Sequence, residues 1–198
     1  MFHIFPRAVP KKECERLLNY CIKNTNFSEA SVLNKGDSDT VGHAGRIDPR
    51  IRKTDIAFIT PDNEDDDRVN ELAWHFLTLA NEIKFNYKFD IFQPVQFARY
   101  RDGGHYGWHQ DINESGQRTR SGSRKLSLTF SLSDPKTYEG GHLEFYRGER
   151  PMEDQVIEDI RDQGSVVVFD SRDYHRVTPV TKGTRYSIVC WTVGPNFV

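Results

Sequence analysis

The sequence predicts a mainly β protein, a jelly roll (double-stranded β-helix) with supporting helices. From about residue 88 the apolar residues fall in short strand-like runs: "FDIFQPVQFARY", "KLSLTFSL", "GHLEFY", "GSVVVFD" and "RYSIVCWTV". Clusters of Gly, Pro, Asp and Ser separate these runs, and helical periodicity is confined to the first half of the chain. Short strands punctuated in this way form a double-sheet antiparallel fold, and helices drawn from the first half buttress one outer face. At 198 residues and 23.0 kDa the chain suits one domain with one core. The expected layout is a single domain over 1–198, with helical support and a long loop over 1–87 and the jelly-roll core over 88–198.

Each element has its own signal. Cys14, Leu17, Leu18, Cys21 and Ile22 form one apolar stripe, and Val69, Leu72, Ala73, Phe76, Leu77, Ala80 and Ile83 form a second. Both follow helical spacing and predict amphipathic helices. The acidic run from Asp62 to Asp67 suits the positive end of the second helix and reads as its start rather than as a cation site. Residues 31 to 53 are rich in Gly, Asp, Ser and Arg, carry no period, and are long for a connection, which suggests a lid. Strict alternation of Leu126, Leu128, Phe130 and Leu132 marks a strand with one apolar face.

Composition excludes some functions. Net charge is −2, from 27 basic and 29 acidic residues, so no general field draws in nucleic acid or anionic lipid. No apolar run approaches the roughly 20 residues that span a bilayer, and "MFHIFPRAVPKKE" lacks the order of a signal peptide. A cytoplasmic location and no membrane partner are expected. Cys14 and Cys21 lie about 10 Å apart along a helix, beyond the ~7 Å limit for a disulfide, and Cys190 sits inside a strand. All three read as reduced packing residues.

The residues that carry chemistry lie in two places. In "GHYGWHQD" an extended backbone puts His109 and Asp111 on the same side, two metal-ligand types next to each other. H-x-D by itself is common. A third candidate, His175, follows the strand "SVVVF" after a short turn, and Arg185 begins the next strand ten residues later. Two histidines and one carboxylate on one face of a metal are the arrangement associated with non-haem Fe(II), with open positions for a bidentate cosubstrate and dioxygen. Alternation places Arg185 on one side with Ser187, Val189 and Trp191, where a guanidinium fork can clamp a carboxylate. His105 and His142 read as loop or strand-edge residues, and His3, His43 and His75 lack a metal-partner pattern.

The order "YGWHQD", "LSLTFSLSDPKTYEGGHLEFY", "GSVVVFDSRDYHRVTPVTKGTRYSIVCW" resembles the Fe(II)- and 2-oxoglutarate-dependent oxygenases of the prolyl 4-hydroxylase type, and is similar to the bacterial PKHD-type hydroxylases. The resemblance covers roughly residues 95 to 195. It implies that His109, Asp111 and His175 hold Fe(II), that Arg185 holds the distal carboxylate of 2-oxoglutarate, and that Tyr100 lines the cosubstrate pocket. Trp191 and Val177 are expected as walls of that pocket. Many prolyl hydroxylases carry a tyrosine near the position of Ser131, which is too short to replace it, so Tyr100, Ser127 or water is left to compensate. The segment "RIRKTDIAFI" is similar to the stretch that precedes the core sheet in prolyl hydroxylases.

The implied reaction is a dioxygenase hydroxylation that consumes 2-oxoglutarate and O2, releases succinate and CO2, and uses ascorbate as reductant. A proline-containing protein or peptide is the expected substrate, with the Asp- and Arg-rich loop as its holder. The alternatives are a free amino acid or small molecule, and alkylated nucleic acid. The basic run "RTRSGSRK" invites the last, but Trp191 stands where nucleic-acid demethylases place a second arginine. A non-enzymatic jelly-roll binding module is the third class, and the four intact primary positions argue against it.

Overall fold

A computed structural model describes residues 2–32, 46–112, 122–146 and 160–197. Two antiparallel sheets face each other, and two helices cover the outer face of the larger sheet. Helix α1 (Lys11–Asn24) and helix α2 (Glu64–Ala80) are the two amphipathic stripes of the sequence. The side chain of Asn63 caps α2 by accepting hydrogen bonds from the Asp65 and Asp66 N–H groups at 3.0 and 3.1 Å. The acidic run therefore fills the first turn of the helix, at the positive end of its dipole. A single π-turn, Asn81–Phe85, follows and ends at Asn86 in a left-handed conformation.

The strands are β1 (Phe2–Phe5), β2 (Ser28–Glu29), β3 (Arg52–Lys53), β4 (Asp55–Ile59), β5 (Ile91–Phe92), β6 (Val95–Arg101), β7 (His105–His109), β8 (Ser123–Ser131), β9 (Tyr138–Gly140), β10 (Leu143–Phe145), β11 (Val166–Asp170), β12 (His175–Val177) and β13 (Val180–Gly194). Among the described residues the large sheet runs β1-β11-β8-β13-β6-β4-β2, with β5 and β9 attached to β13. The small sheet runs β10-β12-β7-β3. Antiparallel pairing throughout and the mainly β content agree with the predicted fold class.

The first 87 residues do more than provide helices and a loop. Strand β1 pairs with β11 and β4 pairs with β6, so the segment extends the large sheet at both sides. The runs "FHIF" and "DIAFI" are too short to show a period, and their place is set by backbone pairing with strands far along the chain. No helix among the described residues is long and apolar enough to cross a membrane.

Strand alternation divides the core. On one face of the large sheet Val95, Phe97, Leu126, Leu128, Phe130, Ile188 and Cys190 pack against Leu17, Cys21, Leu72, Phe76 and Leu77 of the helices. The other face carries Ala98, Tyr100, Val167 and Phe169, which pack against Leu143, Phe145 and Val177 of the small sheet. The three cysteines are buried and reduced, as expected. The space between the sheets is where the chemistry-bearing residues converge.

Candidate metal centre

Residues His109 and His175 are direct cross-strand partners in the small sheet. Two residues of β12, His175 and Val177, face His109 and Tyr106 of β7, which are three apart, so β7 carries a bulge. The extra residue turns both Tyr106 and His109 toward the space between the sheets, where their rings stack at 3.5 Å. Beyond the strand end, the Asp111 N–H donates to the Ser171 carbonyl at 2.9 Å, which fixes the carboxylate next to both imidazoles. The three side chains offer ligand atoms within 4.8 Å of one another.

Each histidine is held in one tautomer. The Nδ1–H of His109 donates to the Gly107 carbonyl at 2.8 Å, and that of His175 to the Asp173 carbonyl at 2.9 Å. Both Nε2 atoms are thereby left as lone-pair donors, each 3.6 Å from a different oxygen of Asp111. Burial pushes the His175 pKa down to about 4, and the neighbouring His109 adds to this against the opposing pull of Asp111. Burial resists ionisation of Asp111, but His175, with His109 and the more distant Arg124, outweighs it and holds the carboxyl below its usual range. The pull of His175 on Asp111 requires a charged imidazole, whereas burial keeps His175 neutral well below neutrality. An ionised Asp111 beside a neutral His175, with His109 as the second imidazole, is the donor set of a divalent metal ligand triad.

The triad opens on a cavity of about 830 Å³, within the size range of small-molecule sites. Tyr100, Val177 and Trp191 are among the residues that line it. The indole Nε1 of Trp191 is buried there with no hydrogen-bond partner. Arg185 is 4 % exposed and lies beside the cavity rather than on its wall, with Cζ 5.3 Å from the Tyr100 ring. Its one hydrogen bond goes to Ser187 Oγ at 3.3 Å, and it has no carboxylate partner among the described residues. A buried guanidinium left in that state is costly, and an anion would relieve it. Gly141 makes the room: a Cβ there would stand 2.9 Å from Arg185 Cδ.

Ser131, read as too short to hold the cosubstrate, and Ser127, read as one possible compensator, both have their hydroxyls engaged. Ser127 shares a hydrogen bond with Ser171 at 2.9 Å, Ser131 donates to the Ile160 carbonyl at 2.8 Å, and neither is on the cavity wall. Tyr100 is the expected compensator that reaches the wall, joined by two residues the sequence did not single out, Gln96 and Thr129. Arg99 and Lys125 are spent elsewhere. Arg99 pairs with Asp55 at 2.8 Å, and Lys125 lies over the Phe197 ring. The His105 ring nitrogens lie 2.9 Å from the Gly103 carbonyl oxygen and 3.4 Å from that of Arg50, and neither His105 nor His142 joins the triad. His3 packs edge-on against Phe5, and His75 is exposed.

Of the long loop, residues 33–45, including Asn34 and His43, lie outside the described residues, as do residues 118–121 of the basic run. Its flanks meet in a bridge between Val32 and Arg46, and Arg50, Ile51 and Arg52 border the cavity.

A family model described as the 2OG-Fe(II) oxygenase superfamily matches residues 95–193, half of the chain. The chain belongs to this superfamily. Membership implies Fe(II) and 2-oxoglutarate, and a buried His-Asp-His set with an unpaired arginine nearby is chemically suited to both. A PKHD-type hydroxylase from Acidovorax ebreus is 39% identical over 103 residues, which are 50% of this chain and 42% of that protein. A second PKHD-type hydroxylase, from Pseudoalteromonas atlantica, is 39% identical over 105 residues, with the same coverage. The chain thus spans under half the length of these curated relatives. In three dimensions it is similar to a Pseudomonas putida prolyl-4-hydroxylase, with TM-score 0.67 and 22% identity over 98% of this chain and 92% of that one. It is also similar to a Trichoplax adhaerens prolyl hydroxylase, solved with a hypoxia inducible factor peptide, with TM-score 0.67 and 21% identity over 97% and 83% of the two chains. At these identities the structural likeness speaks for the superfamily's fold.

Proposed function

We propose that the protein is an Fe(II)- and 2-oxoglutarate-dependent hydroxylase of proline-containing protein or peptide substrates. The observation that carries this reading is the buried triad of His109, Asp111 and His175 beside an unpaired, buried Arg185. In this reading the triad holds Fe(II), and Arg185 with Tyr100 holds the far carboxylate of 2-oxoglutarate. When bound, metal and cosubstrate activate dioxygen, so that one oxygen atom enters a C–H bond and the other leaves in succinate with release of CO2.

The chain's own residues supply binding and exclusion of water. The carbonyls of Gly107 and Asp173 hold both imidazoles with Nε2 toward the metal position. Three protein ligands on one side leave the opposite positions open. Phe169, Val177, Val189 and Trp191 form apolar walls that limit water. The border made by residues 50–52 is where a substrate enters, and ascorbate is the expected external reductant. Support for a protein or peptide substrate comes from the PKHD-type and prolyl hydroxylase relatives.

The test is to load the protein anaerobically with Fe(II) and 2-oxoglutarate, admit oxygen, and follow succinate together with mass spectra of proline-containing peptides. A gain of 16 Da on proline, coupled to succinate, is expected. Succinate without peptide oxidation would move the substrate to a free amino acid or another small molecule.

A further inference from the structure

Two further arginines face the same cavity, and the reading above uses neither. Arg52, on β3, is 9 % exposed, and its Cζ lies 4.5 Å from the Tyr106 ring centre. Its Nε is buried without a hydrogen-bond partner, and its side chain meets no carboxylate among the described residues. Arg124, on β8, lies over the Trp191 ring at 4.0 Å. Its Nε donates to Gln93 Oε1 at 2.7 Å and its Nη1 to the Asp111 carbonyl at 3.3 Å. Arg124 is half-buried, and both guanidiniums line the same cavity.

Charge bookkeeping sharpens the point. Of the loop arginines, Arg46 and Arg50 share the one carboxylate of buried Asp48, at 2.8 and 2.9 Å, so each is ion-paired although the three groups together keep a charge of +1. Among the described lining residues the remaining cations are Arg52 and Arg124, against a single carboxylate, Asp111, which is turned to the two histidines. A metal ion would add positive charge, and 2-oxoglutarate would spend its two carboxylates on that metal and on Arg185. Two forked donors would still lack an anion.

We infer that Arg52 and Arg124 form a carboxylate seat for the substrate, so that the preferred substrate carries a carboxylate close to the oxidised carbon. This rests on the hydroxylase reading above. The carboxylate can come from an acidic side chain next to the target residue in a peptide, or from the α-carboxylate of a free amino acid. Ile51 and Phe58, 40 % and 58 % exposed at the cavity border, add apolar surface for the rest of the substrate. A guanidinium pair discriminates strongly between a carboxylate and its isosteric amide, because charge-assisted hydrogen bonds are about twice as strong as neutral ones.

The experiment is calorimetric titration of the anaerobic protein loaded with Fe(II) and 2-oxoglutarate, which reads binding without turnover. The probes are acetyl-Asp-Pro-Asp-amide against acetyl-Asn-Pro-Asn-amide, and L-proline against prolinamide. At least one carboxylate probe should bind on the order of 10- to 100-fold tighter than its amide. Preference in the peptide pair assigns the seat to an acidic residue, and preference in the proline pair alone assigns it to a free amino acid. Arg52→Gln should erase most of that preference, with iron content and 2-oxoglutarate affinity unchanged; Arg124→Gln should also erase it, and because Arg124 donates to the Asp111 carbonyl its preference is read as a ratio at matched iron loading. Arg52→Lys, the milder change, should retain part of it. Equal binding within both pairs overturns the inference, and so does a comparable loss of 2-oxoglutarate affinity in Arg52→Gln. Iron content and succinate formation, measured on the same samples, report separately on the hydroxylase reading.

Discussion

At the scale of the residue, the site depends on groups whose neighbours decide what they can do. Arg185 is an anion clamp in this account, so its substitution should act on 2-oxoglutarate and leave iron in place. Arg185→Gln should weaken 2-oxoglutarate binding on the order of 10- to 100-fold, and Arg185→Lys less, because a lysine keeps the charge but gives a point contact. A variant that melts earlier yet binds 2-oxoglutarate like the parent would make the arginine structural. Gly141→Ala tests the same clamp from behind. Its Cβ would meet Arg185 Cδ at 2.9 Å from a backbone φ of +63°, so 2-oxoglutarate affinity should fall while Fe(II) binding persists. His109 and Asp111 stand out in the sequence as an H-x-D pair, and His175 and Arg185 are singled out by their order after it and by the resemblance to the oxygenases. Arg124 is not, since "RTRSGSRK" reads as a basic run that invites nucleic acid, whereas β8 places its Arg124 over Trp191. Ser127 and Ser131 look equivalent to Thr129 along β8, and only tertiary contacts show that their hydroxyls are already engaged.

At the scale of the element, local signals and long-range pairing divide the credit. Helix α2 was readable from its apolar stripe and its acidic start, and the cap at Asn63 now accounts for the boundary. Asn63→Ala should cost about 1 kcal/mol in denaturant unfolding with turnover per folded molecule unchanged. The strands after residue 88 were readable as short apolar runs separated by Gly, Pro, Asp and Ser clusters, with strict alternation in β8. Strands β1 and β4 escaped because four or five residues hold too little pattern, and what fixes them is pairing with β11 and β6. The bulge in β7 was equally hidden. It follows from the register against β12, and it is what turns both Tyr106 and His109 toward the cavity.

At the scale of the whole molecule, the helices and the outer face of the large sheet make one dry core, and the gap between the sheets makes the site. Cys14, Cys21 and Cys190 are fully buried in that core, and burial pushes each thiol up to about 12. Their folded pKa lies above the ordinary value of 9.0, so their contribution to stability is complete below pH 9 and is lost as pH rises toward 12. The native protein should therefore resist iodoacetamide at pH 8, react at three thiols in denaturant, and lose stability in alkali. The central claim, that one iron site of His109, Asp111 and His175 works beside an Arg185 clamp, is tested most directly by anaerobic titration of 2-oxoglutarate into the Fe(II)-loaded protein. The measured signal is the visible charge-transfer band that develops when a 2-oxo acid chelates Fe(II). The account predicts a saturable band at one iron per chain in the parent, its absence in His175→Ala, and a rightward-shifted titration in Arg185→Gln. An unchanged band in His175→Ala would contradict it.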